Sequence, residues 1–189
     1  MPAQVPSERL IFGSSVEALL KAGVGRLSSA STAKLRQLGM GAERKLAPAY
    51  PAEDWAEAVR LIGSELFPTD APEVQHNKLA RLTVKQFSET VMGKAIFAAA
   101  RVFGARRSMA RLAHNLRTGA NFIETRFASI DAVTDELWIS DVSGVPGFYS
   151  GLVEAGSDYL EGWAYQMRIK SYEGAGCLYE LKSPSRRSG

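Results

Sequence analysis

Cysteine is nearly missing from this chain. Cys177 is the only one in 189 residues, so no disulfide framework can staple the fold. Histidine is scarce as well, and with only His76 and His114 a structural zinc site would have to borrow carboxylates at unremarkable spacings. No apolar run approaches the roughly 20 residues of a membrane span; the longest is Ala95–Ala100. No basic leader followed by an apolar core of about 7–15 residues is present, so secretion is not expected and a cytoplasmic location is the default. A strong charge of one sign is also lacking: 23 Lys and Arg against 20 Asp and Glu give a formal +3, well short of a nucleic-acid-binding excess. Internal repeats and a glycine-rich phosphate loop are absent too. Gly23-Val24-Gly25 follows a helix and lacks the further glycine and the Lys-Ser/Thr pair that cradle phosphate.

What remains is a chain with 46% hydrophobic residues, of a length that suits one domain with a real core. Pro2 and Pro6 punctuate an arm over 1–9, and the apolar pair Leu10–Ile11 is expected to dock on the core. Ser14 and Ser15 offer N-cap oxygens to a helix that carries Val16, Leu19 and Leu20 on one face and closes at Gly23. After the polar stretch Ser28 to Thr32 a short helix runs through Leu35 and Leu38, and Gly39, Gly41, Pro48 and Pro51 then make 39–51 a loop. Trp55, Ala58, Leu61, Ile62 and Leu66 repeat at helical spacing behind Glu53 and Asp54, and Pro68 stops that helix.

Thr69 or Asp70 caps a longer helix, in which Leu79, Leu82, Phe87, Val91 and Phe97 form a buried stripe. The stripe becomes apolar nearly all round at Ala95–Ala100, which predicts a central, covered segment. A last helix sets Met109, Leu112 and Leu116 opposite Arg107, Arg111 and His114 and ends at Gly119.

Near Asn121 the period drops from about 3.6 to 2. Phe122–Ile130 and Leu137–Val142, joined by turn chemistry at Asp131–Asp135, read as a first hairpin. Pro146 and Gly147 introduce a short helix that packs down Phe148, Leu152 and Val153 and leaves Glu154 wet. Trp163, Tyr165, Met167 and Ile169 then alternate with Gln166, Arg168 and Lys170, and the Glu173-Gly174-Ala175-Gly176 turn returns the chain to Cys177, Tyr179 and Leu181. The fold class is α+β: about five helices on a four-stranded antiparallel sheet, in a single domain over 10–182, with a disordered tail over 183–189.

The sharpest chemical feature is the basic stretch 101–117, where Arg101, Arg106, Arg107, Arg111 and Arg117 occur with no acidic residue between them. Arg107, Arg111 and His114 form one helical stripe, and guanidinium forks suit phosphate or carboxylate oxygens. Arg106, Arg107 and Arg111, with Arg117 and Asn121 at the helix-to-strand junction, are therefore the candidate ligand-binding residues, for charge-assisted contact with an anionic group. The plainer reading is a solvated face paired with acids such as Glu53, Asp54 and Glu57. Enzyme chemistry is not expected: Cys177 shares a strand face with Tyr179 and Leu181, as a buried structural thiol does, and Asp131, Asp135 and Glu136 fall in a turn. Trp138, Trp163 and Tyr165 read as core anchors, or as the wall of an apolar pocket.

Several stretches together resemble a paralogous family of unknown function found in myxobacteria. They are Leu10-Ile11-Phe12-Gly13-Ser14, Pro48-Ala49-Tyr50-Pro51 with Trp55, Glu65-Leu66-Phe67-Pro68, Gly93-Lys94-Ala95, Leu116-Arg117-Thr118-Gly119-Ala120-Asn121-Phe122 and Glu136-Leu137-Trp138, and the resemblance covers 10–182. It carries no catalytic residue. In element order the chain is also similar to the superfamily of 4-vinyl-reductase-like domains, haem nitric-oxide sensors and TRAPP-like vesicle-tethering subunits, which implies a ligand-sensing or assembly module. The cysteines of some vinyl-reductase-like domains and the Tyr-x-Ser-x-Arg signature of the haem sensors have no counterpart here, so no cofactor and no metal are expected, and His114 is not read as a haem ligand. The resulting expectation is a non-enzymatic regulatory or interaction module in cytoplasmic signalling or assembly. Its partner is a protein, a second copy of the chain or an anionic ligand. The alternative is a small-molecule sensor with an apolar pocket at the helix–sheet junction, lined by residues such as Phe97, Trp138 and Trp163.

Overall fold

The computed structural model describes residues 8–41, 45–102, 107–111, 116–159 and 165–182. In chain order its elements are β1 (Leu10–Phe12), α1 (Gly13–Gly23), α2 (Ser29–Gln37), β2 (Ala49–Pro51), α3 (Ala52–Leu66), α4 (Pro72–Ser88) and α5 (Val91–Val102). The helical residues 107–111, here α6, come next, then the 3-10 turn η1 (Leu116–Gly119). The remainder is β3 (Thr125–Ser129), β4 (Thr134–Ile139), α7 (Pro146–Asp158), β5 (Gln166–Glu173) and β6 (Gly176–Lys182). Of the expected arm only Glu8 and Arg9 are described; the expected tail, Arg106, Leu112, His114 and Trp163 lie outside the described residues.

The α+β class holds. The larger sheet is antiparallel throughout, in the order β3-β4-β6-β5, so the two hairpins stand side by side with β4 and β6 in the middle. Period-2 alternation buries Leu137 and Ile139 of β4 with Cys177, Tyr179 and Leu181 of β6 on the inner face. Asp131 supplies the expected turn chemistry, its carboxylate accepting from the Val133 and Thr134 amides at 2.8 and 2.7 Å. Two expectations fail here. Asp135 is not in the turn but in β4, facing inward at 1% exposure. Trp138 is not in the core: it points to the outer face, where the Arg126 guanidinium lies 4.6 Å from its ring centroid.

The 39–51 stretch is not all loop, because β2 within it pairs with β1 and Ile11 bridges to Ala120. α1 begins at Gly13, with Phe12 at the N-cap and no side-chain cap, rather than behind a capping serine. α2 begins earlier than read: the Ser28 hydroxyl caps it, accepting from the Ser31 amide at 3.2 Å.

The long helix expected beyond Asp70 is two. It breaks at Thr90, whose hydroxyl donates to the Phe87 carbonyl at 2.7 Å and accepts from the Gly93 amide at 3.0 Å, so α5 starts with its own cap. Gly93 is required at this corner, since a Cβ there would lie 2.0 Å from the Phe87 carbonyl oxygen. α5 is not the covered central helix that its composition suggested. Phe97 is buried, but Val91 is 88% and Val102 81% exposed. Among the described residues no helix is long and apolar enough to cross a membrane.

The central helix is instead α7, which lies along α4 at backbone contact. A Cβ on Gly147 would meet the Glu73 carbonyl oxygen at 2.2 Å, and one on Gly151 the Asn77 carbonyl oxygen at 2.4 Å. Glycines four residues apart put both bare positions on one helix face. Nor does Glu154 stay wet. Its side chain, 13% exposed, accepts from Asn77 Nδ2 at 2.9 Å, Arg81 at 3.2 Å and the Met167 amide at 2.8 Å, tying α4, α7 and β5 together.

His76 of α4 is buried beside Gly63 of α3. Burial, then the charge of Arg60, hold its imidazole below the ordinary histidine range. A depressed folded-state value means that this contribution to stability is complete above about pH 6.5 and is lost as pH falls from there through the depressed value. Thermal midpoints of the parent are expected to fall across that window more steeply than those of His76→Gln; equal slopes would show that the imidazole does not report on folding.

Candidate functional site

A hollow of about 420 Å³ opens inside the helical layer. Its deep walls are Trp55 of α3, Thr83, Val84 and Phe87 of α4, and Phe148, Tyr149, Leu152 and Gly156 of α7. Ile11, Ala18 of α1 and Ile123 close further sides, and Ile96 and Phe97 of α5 form the outer wall. The mouth carries Ser14 and Ser15 of α1 with Leu116, Thr118 and Gly119 of η1, and of these Ser14 and Thr118 are exposed. None of the described lining residues bears a formal charge.

Local chemistry explains why the space stays open. The Trp55 and Phe148 rings meet edge to face at 5.2 Å and 89°, and Phe97 stacks on Tyr159 at 4.5 Å and 24°, so aromatic pairs brace two sides. Phe97 belongs to a small cluster with Val84 and Ala155, separate from the main core, and the cavity lies between the two. Three contacts on Tyr159 hold this outer wall. They are the Phe97 stack, a hydrogen bond between its hydroxyl and Ser88 at 2.7 Å, and one from Arg101 Nε to its carbonyl at 3.1 Å.

Polar capacity inside is small and mostly committed. The Thr83 hydroxyl donates to the Leu79 carbonyl at 3.0 Å. Tyr149 is the one titratable side chain in the lining, and burial, followed by the charge of Asp141, pushes its hydroxyl far above the ordinary phenol range. Ser15 reaches the Gly119 carbonyl only at 3.4 Å, so its hydroxyl is weakly held.

The residues singled out for their charge sit elsewhere. Arg107 and Arg111 lie one turn apart on the exposed side of α6, and Arg117 is exposed on η1. Asn121 is tied to the N-terminal segment: its Oδ1 accepts from the Leu10 amide at 2.8 Å and its Nδ2 donates to the Glu8 carbonyl at 2.9 Å. None of the four lines the cavity. Of the acids expected to neutralise the stretch, Glu53 pairs with Arg9 at 2.8 Å and Glu57 with Lys34 at 2.7 Å.

The expected pocket is also displaced. Phe97 lines it, Trp138 does not, and no residue of β3 to β6 does, so the hollow lies among helices rather than at their junction with the sheet. Cys177 is buried on the inner sheet face, where burial raises its thiol pKa, as a structural thiol requires. Among the described residues no group of three or more His, Cys, Asp and Glu side chains is placed to hold a metal ion.

Residues 9–182 match the family model described as Protein of unknown function (DUF2378). No curated protein matches the sequence. Solved structures of similar fold include H-NOX domains. An oxygen-binding H-NOX domain related to soluble guanylate cyclases aligns at TM-score 0.69 and 14% identity, over 93% of this chain and 96% of that one. The unliganded Fe(II) H-NOX protein from K. algicida aligns at 0.70 and 8%, over 95% and 100%. A structure described as modulating heme redox potential through protein-induced porphyrin distortion aligns at 0.67 and 14%, over 95% and 98%. Identities this low establish the shared fold.

Proposed function

The chain belongs to the family of unknown function DUF2378, and on that footing we propose that it is a non-enzymatic sensor module holding a small uncharged ligand in the cavity of its helical layer. The observation that carries this reading is the cavity itself, about 420 Å³ with no charged residue among the described residues of its lining, inside the range of about 300–1,000 Å³ typical of small-molecule sites. The H-NOX-like fold supports a sensing role by analogy. A cytoplasmic setting, and specificity diversified among paralogues in myxobacteria, belong to the same reading.

Haem does not fit the described residues of this cavity. Haem iron takes an imidazole, thiolate, thioether or phenolate donor, and the porphyrin's propionates call for cations. The described lining residues include no His, Cys, Met, Lys or Arg, and burial raises the Tyr149 hydroxyl above the ordinary phenol range, which disfavours a phenolate. His114 lies outside the described residues.

Purified protein is expected to bind aminoanthracene, a neutral apolar fluorophore, saturably at one site, and to develop no Soret band when haem is added. Ala18→Phe fills the hollow from α1. It is expected to abolish fluorophore binding while raising stability by about 1 kcal/mol, as cavity filling does. A folded Ala18→Phe variant that binds as tightly as the parent would refute the cavity reading, and a Soret band would refute the exclusion of haem.

A second reading rests on the arginines. Arg107 and Arg117 are exposed, and two of the acids expected to cover the stretch are engaged by Arg9 and Lys34. Arg106, Arg107, Arg111 and Arg117 would then meet an acidic partner surface or an anionic ligand. Loss of partner capture in Arg107→Ala with Arg111→Ala tests it.

A further inference from the structure

We infer that the cavity selects a neutral amphiphile of about a dozen heavy atoms, held with its single hydrogen-bonding end at the mouth and its apolar body against α4 and α7. The inference rests on the cavity reading above and adds the class and orientation of the ligand.

The size follows from the volume: about 420 Å³, at roughly 30 Å³ for each water-sized group, leaves room for about fourteen. The orientation follows from where the lining keeps polar atoms. At the buried end Val84 and Phe148 present apolar surface, and the two buried hydroxyls are committed, that of Thr83 to the Leu79 carbonyl and that of Tyr149 to Ser143. At the mouth the hydroxyls of Ser14, Ser15 and Thr118 gather from α1 and η1, and among the described residues that of Ser15 makes a long contact with the Gly119 carbonyl. A ligand with a polar group at its buried end would strand that group, whereas one with a terminal hydroxyl at the mouth keeps it bonded.

Neutrality follows from the described lining residues, among which there is no cation. The first turn of α1 favours a negative head only weakly, and a partly enclosed carboxylate gives up hydration that no guanidinium or ammonium returns. Hydroxyls both donate and accept, so they serve an alcohol, ether or ketone equally.

Displacement of bound aminoanthracene by decanol, decanoate and decane separates these terms, because the three share a chain and differ at the head. Decanol is expected to bind about tenfold or more tighter than decanoate and about fivefold tighter than decane. Ser14→Ala combined with Ser15→Ala is expected to bring decanol down to the affinity of decane and leave decane unchanged. Decanoate equal to decanol, or a rim variant that weakens decane as much as decanol, overturns the inference. If the fluorophore binds and none of the three displaces it, the ligand class is wrong and the cavity reading stands; if the fluorophore itself does not bind, the cavity reading falls and takes this inference with it.

Discussion

Replacing Gly151 with leucine is expected to leave no cooperative unfolding transition at room temperature, and Gly151→Ala to lower stability by about 2 kcal/mol. Two effects oppose each other. Alanine gains about 1 kcal/mol over glycine in helix propensity. Its Cβ would however sit 2.4 Å from the Asn77 carbonyl oxygen and 2.8 Å from Ala80 Cβ, inside a helix pair that is buried on both sides. Overpacking of this kind costs about 1–3 kcal/mol, and an approach of 2.4 Å to a backbone oxygen takes the upper end of that range. The clashing atoms include backbone of α4, which cannot swing away as a side-chain tip would, so the clash wins.

Gly147 meets Glu73 in the same way, and one small separation of α4 from α7 relieves both contacts. Gly147→Ala and Gly151→Ala together should therefore destabilise by less than their sum, with a coupling of about 1 kcal/mol in a double-mutant cycle. Urea unfolding followed by circular dichroism reads all three values. Alanine variants as stable as the parent would mean that the two backbones separate freely.

Tyr179→Ala is expected to destabilise by about 4 kcal/mol, and Tyr179→Phe by about 1 kcal/mol. Tyr179 is fully buried on the central strand β6, and its hydroxyl donates to the Pro146 carbonyl at 2.9 Å, at the first residue of α7. One side chain thus fills the inner sheet face and ties it to the first turn of α7 through a second hydrogen bond on the Pro146 carbonyl. Truncation to alanine loses the whole aromatic packing, about 3–5 kcal/mol for a large core side chain. Phenylalanine keeps the ring and removes only the hydroxyl's bond to the Pro146 carbonyl, which isolates that hydrogen bond. Equal losses in the two variants would show that the ring contributes little and that the staple to α7 dominates.

Residues whose partners are near in sequence were readable in advance. Asp131 in its turn, the two hairpins and the stop at Pro68 are decided by backbone chemistry within a few positions, and the structure keeps them. The break at Thr90 was misread because Ser88-Glu89-Thr90 contains no proline or glycine; a hydroxyl three residues before Gly93 was the available signal. α5 was misjudged for another reason. Apolar composition all round predicts burial only if enough other surface exists to cover it, and here α7, with Gly147, Gly151 and Gly156, took the central place. In the sequence Gly147 reads with Pro146 as helix initiation, and its i, i+4 spacing to Gly151 is the signal of close helix packing. Arg9 was passed over entirely, although it bonds Glu53 at 2.8 Å and Asp141 at 2.9 Å. Its partners lie far along the chain, and no local pattern marks them.

Periodicity by itself determined that helices precede a pleated layer near Asn121 and which faces of β4 and β6 turn inward, because alternation and turn chemistry are local properties of the chain. Tertiary structure alone decided the strand order, the backbone contact of α4 with α7 and the hollow between them. A cavity is space that side chains from several distant segments fail to fill. No single segment encodes that shortfall, and it comes into being only when α1, α3, α4, α5, η1 and α7 are brought together.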